Sequence, residues 1–169
     1  QPSGDFVSVG PVSGINDSNG EYLQLKSGQN QAWADIDHDG DLDLLVGGRD
    51  TGGGRPNFLF RNEIGHQNMW LAVRLTGDGD IVNRDAIGTR VTLTYGDTVV
   101  MRELKGSRGT YNSMDSKILH FGMGEFGCGY SLEVRWPDGS TQTYSEDQFP
   151  NNAFIHIDYS GALTVESQP

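Results

Sequence analysis

Apolar and polar residues alternate along most of the second half of the chain. Leu71, Val73 and Leu75 are separated by Ala72 and Arg74, Val91, Leu93 and Tyr95 by Thr92 and Thr94, and Leu132, Val134 and Trp136 by Glu133 and Arg135. A period of two marks a strand with one buried face. The pattern predicts strands over 70–76, 91–95, 98–104, 117–121, 131–136 and 141–144. Ile155, Ile157 and Tyr159 form one face of a further strand, and Leu163 with Val165 forms the last. Gly96-Asp97 suits a two-residue hairpin loop, and Pro137-Asp138-Gly139 a tight turn. In the first half, short strands are predicted over 5–12, 22–25, 31–34, 42–46 and 57–62, with a polar turn at Asn16–Gly20 and a glycine-rich loop from Gly47 to Gly54. Strands spaced about every 10 residues, with turn signals between them, indicate an all-β chain built as an antiparallel β-sandwich or jelly-roll-like domain, preceded by one smaller sheet of about four strands.

Between two of those early strands lies Asp35-Ile36-Asp37-His38-Asp39-Gly40-Asp41-Leu42-Asp43, with a carboxylate at every odd position. Without a cation these charges repel one another. Calcium takes about six to eight oxygens in a flexible shell, and a tight loop with this spacing wraps oxygens around a point. Asp35, Asp37 and Asp39 would give side-chain oxygens, Asp41 its backbone carbonyl, and Asp43 would close the shell. Gly40, at the sixth position, tolerates the positive φ of a sharp turn. The loop is not an EF-hand, because the twelfth position is Val46 in a β-like apolar run rather than a glutamate entering a helix. Magnesium keeps several waters and suits the loop less well.

Charge and composition narrow the function. Lys and Arg number 12 against 23 Asp and Glu, a formal net charge of −11, so nucleic acid is not an expected partner. No run of 18 apolar residues exists to span a membrane. Cys128, the single cysteine, has no internal partner and reads as a small buried or loop thiol. Simple aspartate loops bind calcium at about 10⁻⁴ to 10⁻³ M, which an extracellular fluid saturates, so a secreted or surface location is expected. A chain beginning at Gln1 fits a mature form whose leader has been removed.

The residues then resemble two known families. The run from Trp33 to Leu44, followed by Asn57-Phe58-Leu59-Phe60-Arg61-Asn62, resembles one FG-GAP (VCBS-type) repeat, the unit of calcium-binding β-propeller blades. That resemblance implies a propeller-blade-like calcium-binding sheet over 1–66, with calcium on Asp35, Asp37, Asp39, Asp41 and Asp43. The pieces Asn83-Arg84-Asp85-Ala86-Ile87-Gly88-Thr89-Arg90-Val91, His120-Phe121-Gly122-Met123-Gly124 and Val134-Arg135-Trp136-Pro137-Asp138-Gly139 resemble the ASPIC/UnbV domain of secreted proteins related to cartilage acidic protein. The second domain is therefore expected over 67–169. Propellers need about four to eight blades, and a second Asp-x-Asp-x-Asp-Gly is missing from the sequence. A lone blade leaves unpaired edges. It is expected either to pack on the second domain's sheet, to pair with another chain, or to be the tail of a longer propeller.

No nucleophile elbow, phosphate loop or dinucleotide fingerprint appears, and the four histidines are not in zinc spacing, so no enzyme activity is expected. His120 and His156 read as structural, and His38 as pointing to solvent. Trp33, Trp70 and Trp136 read as core rather than as a sugar-stacking platform. Arg84 and Asp85 are expected to hold a loop, and Gly77-Asp78-Gly79-Asp80 to be a plain turn. Asn16-Asp17-Ser18 is a formal glycosylation sequon. The leading expectation is a calcium-stabilised extracellular structural protein that assembles with itself, Gln1–Val12 and Ala162–Pro169 each adding a strand to a neighbouring subunit's sheet. The alternative is a monomeric calcium-dependent adhesion or carbohydrate-binding module.

Overall fold

The computed structural model describes residues 27–49, 57–62, 67–107, 116–126 and 128–166. The strands expected over 5–12 and 22–25, the sequon at Asn16 and the donor segment Gln1–Val12 lie outside those residues.

Eleven strands form three sheets, with no α-helix among the described residues. The first sheet holds β1 (Ser27–Ala34), β2 (Asp43–Arg49) and β3 (Asn57–Phe60), in that order and antiparallel. β2 runs through Gly47 and Gly48, so the strand continues into what the sequence marked as loop. The remaining strands are β4 (Met69–Thr76), β5 (Arg90–Tyr95), β6 (Thr98–Glu103), β7 (Ile118–Gly124), β8 (Tyr130–Arg135), β9 (Thr141–Ser145), β10 (Ala153–Asp158) and β11 (Leu163–Glu166). They make a second sheet ordered β11-β10-β4-β7 and a third ordered β6-β5-β8-β9.

The second and third sheets face each other as a sandwich. Leu71, Val73, Phe121, Met123, Ile155 and Ile157 from one meet Val91, Leu93, Leu132 and Val134 from the other in a single buried cluster. The alternation pays off in register, since Leu93 lies opposite Leu132 and Val91 opposite Val134. Gly96-Asp97 closes the β5–β6 hairpin with Tyr95 opposite Thr98. The turn at 137–139 closes β8–β9 through Gly139 N–H donating to the Trp136 carbonyl at 3.0 Å.

Two features depart from expectation. The sandwich is not wholly antiparallel, because β10 runs parallel to β4, Ile155 lying opposite Val73. The chain reaches β10 from β9, which belongs to the other sheet, so no hairpin constrains its direction. The segment 163–166 is already paired as β11 along β10 of its own sheet, with Ile155 opposite Val165. It is therefore not a loose end to be donated to a neighbour.

The ASPIC/UnbV-like loop after β4 is held by Asp85, as expected, and by Asn83, with no side-chain bond from Arg84 among the described residues. The Asn83 side chain accepts from Ile87 N–H and donates to the Ile87 carbonyl, both at 2.9 Å, and Asp85 pairs with Lys117 at 2.8 Å. Ala86, fully buried, takes a left-handed φ of 54° there. Asp78 forms the plain turn, its carboxylate accepting from the N–H groups of Val82 and Asp80. Those donors, Val82 foremost, hold its carboxyl below the usual aspartate value.

Candidate metal centre

β4 explains where the acidic loop goes. Its Trp70–Val73 run is buried on both faces, whereas a sandwich strand with one wet face would alternate. Leu71 and Val73 enter the sandwich core, and Trp70 and Ala72 join Phe154 of β10 in a second cluster on the outer side of the same sheet. The indole of Trp70 meets the Phe154 ring edge-on at 5.2 Å and stacks with His120 of β7 at 6.1 Å. Asn152 fixes Trp70 in place, accepting from its N–H at 3.0 Å and donating its own N–H to its carbonyl at 2.8 Å.

The loop between β1 and β2 sits on this outer cluster. Gly40 is buried, has φ +96°, and packs so closely on Trp70 that a Cβ would lie 2.0 Å from Nε1. The His120 Nε2–H donates to the Gly40 carbonyl at 2.8 Å. A carbonyl can only accept, so the imidazole carries its proton on Nε2. Burial is the main cause that lowers the His120 pKa below its ordinary value, against the opposing pull of the Gly40 carbonyl and Asp35. The loop of the small sheet, through Gly40, thus seats on the outer face of the sandwich.

Within the loop, Asp35, Asp37 and Asp39 bring one carboxylate oxygen each to within 4.8 Å of one another. Asp35 Oδ2 accepts from Gly40 N–H at 3.0 Å, while its Oδ1 is buried and has no hydrogen-bond partner. Burial raises the Asp35 pKa, opposed by the Gly40 N–H and reinforced by the Asp39 charge. Asp39 Oδ1 accepts from Asp41 N–H at 3.1 Å. Asp37 Oδ2 is met by Arg61 Nε at 2.9 Å. An all-oxygen cluster with a buried acceptor left open suits a hard divalent cation.

The carboxylates of Asp41 and Asp43, the other two predicted ligands, are not in that group of three, and the donor expected of Asp41 is its backbone carbonyl. Asp43 is 2% exposed and braces the loop, its two oxygens accepting from Ile36 N–H at 3.0 Å and Asn62 N–H at 2.9 Å. Asp41 is also buried, at 4% exposed. His38 corrects its expectation. It is half-buried, with φ 63° and Nδ1 shielded from solvent, and it lines the cleft beside the loop. Trp70 and Trp136 are buried as expected, but Trp33 is 44% exposed because β1 is an edge strand beside an open cleft. His156 is structural, bonded to Thr76 Oγ1 at 2.8 Å. Cys128 is an exposed loop thiol.

The partnership of Trp70 and His120 with Gly40 was missed from the sequence. The unbroken apolar run at Trp70–Val73, echoed at Ala153–Ile155, was the available signal that the outer face of these strands is covered.

A family profile described as ASPIC and UnbV matches residues 79–163. Cartilage acidic protein 1 of Xenopus tropicalis is 33% identical over 134 residues, 78% of this chain and 20% of that protein. Cartilage acidic protein 1 of Mus musculus is 32% identical over 127 residues, 74% of this chain and 19% of that protein. The chain spans about one fifth of the length of these curated relatives. A crystal structure of a proposed cell adhesion protein from Bacteroides uniformis aligns over 88% of this chain and 70% of that one at 16% identity, with a TM-score of 0.35, below the level of a shared fold.

Proposed function

The chain belongs to the ASPIC and UnbV family, and from that premise we propose that it is a calcium-stabilised extracellular module with an adhesive or structural role. The buried, unpartnered Oδ1 of Asp35 beside Asp37 and Asp39 carries the reading. Asp35, Asp37 and Asp39 would hold the ion, with Asp41 and Asp43 on the same loop as its remaining acidic residues. Calcium would neutralise carboxylates that otherwise repel one another. The loop resembles an FG-GAP repeat, and the relatives' name, cartilage acidic protein, fits a chain of net charge −11. A weak aspartate site is filled at extracellular calcium levels of about 10⁻³ M.

Calorimetric titration of the metal-free chain with calcium tests this reading. One site with a dissociation constant of about 10⁻⁴ to 10⁻³ M is expected, together with a calcium-dependent rise in melting temperature. No heat and no thermal shift at 10 mM calcium, about ten times that range, would remove the metal from the account.

Self-assembly is a second reading, favoured by the small sheet. Among the described residues β1 and β3 are its outer strands, and Leu45 and Leu59, opposite one another in register, are 43% and 55% exposed. Open edges and an apolar face are what strand addition between subunits uses. Negative-stain microscopy with calcium and after chelation separates the two readings. Filaments that dissolve without calcium support assembly, and dispersed particles in both conditions leave a monomeric adhesion or glycan-binding module.

A further inference from the structure

A cleft of about 730 Å³ opens between the acidic loop and the flank of the sandwich. Small-molecule sites span about 300–1,000 Å³ and favour junctions between structural units. Its apolar lining comes from Ala72, Ile118 and Phe154, with Trp33 and Met101 at its rim, the last two 44% and 50% exposed. Arg102 and Lys105 also line it.

Arg102 Nε donates to the His120 carbonyl at 3.4 Å and its guanidinium lies 6.0 Å from the centre of the Phe121 ring. Among the described residues neither Arg102 nor Lys105 is paired with a carboxylate. Glu103, their nearest acidic neighbour in sequence, is committed to Arg90 at 3.1 Å. Among the described residues Arg61, Arg74, Arg90 and Lys117 each meet a carboxylate, and Arg102 and Lys105 reach the cleft without one. Glu103 also lines the cleft, as does Asp35, which is held in its own loop by the Gly40 N–H.

We propose that this cleft binds a small organic carboxylate carried on a flat apolar body. The carboxylate would meet the Nη groups of Arg102 and the ammonium of Lys105, where charge-assisted hydrogen bonds are strongest. The ring would lie on Phe154 and Ile118 beside the Trp33 indole, an arrangement aromatic faces favour. A neutral apolar ligand would leave the cations unmatched, and a bare inorganic anion would leave the apolar floor wet. The contacts proposed for the ligand, Arg102, Lys105, Ile118 and Phe154, lie outside the acidic loop, although Asp35, His38 and Leu42 of that loop also line the cleft.

The probe is indole-3-acetate, compared with its neutral amide indole-3-acetamide, followed on the whole chain by NMR of the Met101 and Ile118 methyl groups. Saturable shifts at both methyls are expected, with a dissociation constant of about 1 mM or below, as suits a fragment of this size. The amide should bind about fivefold more weakly, the worth of one exposed charge pair. Lys105→Gln, whose side chain holds no part of the fold, should reduce that preference to about twofold or less, and Arg102→Gln should do the same if its melting temperature matches the wild type. Equal affinity for acid and amide, a preference untouched by Lys105→Gln, or no saturable shift at about 20 mM, far above fragment affinities, would each overturn the proposal.

Discussion

Gly40 and Trp70 touch across 30 positions of sequence, so closely that a β-carbon on the glycine would lie 2.0 Å from the indole Nε1. The same glycine holds φ +96°. One residue therefore serves the turn of the acidic loop and its seat on the sandwich.

Gly40→Ala should lift the loop off Trp70. A left-handed φ costs an alanine about 1–2 kcal/mol, and the clash with a buried ring adds a cost of similar size. With about 2–4 °C lost per kcal/mol in a chain of 169 residues, a melting temperature lower by about 4–16 °C is expected, with a weaker calcium response. An unchanged melting curve would mean that the loop is not seated on Trp70.

Acid should loosen the same seat. Unfolded His120 takes up a proton near its ordinary value of 6.5, whereas the folded residue, desolvated by burial, does so only at lower pH. Between those two values the unfolded state binds more protons, so stability is complete above about 6.5 and declines as pH falls through the window. His120→Gln can still donate to the Gly40 carbonyl but does not titrate. Denaturation midpoints from about pH 7.5 to 5.5, spanning the ordinary histidine value, should fall more steeply for the wild type than for the variant.

Asp35→Asn should separate binding from folding. Burial already raises the Asp35 pKa, so its ionised form is a burden in the metal-free protein. An amide can still accept from Gly40 N–H. The variant should therefore melt no lower than wild type without calcium, yet lose about tenfold or more in calcium affinity, because the charge count of the ligand set tunes such loops. A large drop in metal-free stability would make Asp35 a structural residue instead.

Arg61→Gln should act in the opposite direction. The guanidinium occupies Asp37 Oδ2 at 2.9 Å with its side chain 57% exposed. An exposed pair of this kind is weak. Removing it should leave stability nearly unchanged and tighten calcium binding by about two- to fivefold, read by calorimetry.

Asp43→Ala should be costly even without metal. Two backbone N–H groups lose a buried charged acceptor, and each such bond is worth about 1.5–3 kcal/mol. Chemical denaturation in chelator measures this. A variant as stable as wild type would mean that Asp43 does not brace the loop.

The sequence alone determined what local chemistry can determine. Strands β4–β11 follow from a period of two, the hairpin at Gly96-Asp97 and the turn at Pro137–Gly139 from backbone preferences, and the gathering of Asp35, Asp37 and Asp39 from their spacing in one short loop. Tertiary structure decided what depends on residues far apart in the chain. The parallel pairing of β10 with β4 joins segments about 80 positions apart, and no turn encodes its direction. Asp43 has the spacing of a ligand, and only the tertiary structure brings Asn62 N–H, 19 positions on, to one of its oxygens. Gly40 looked like a turn glycine, and only the seating of the loop on Trp70 and His120 gave it a second role. Periodicity reports which face of a strand is buried, and it does not name what buries it.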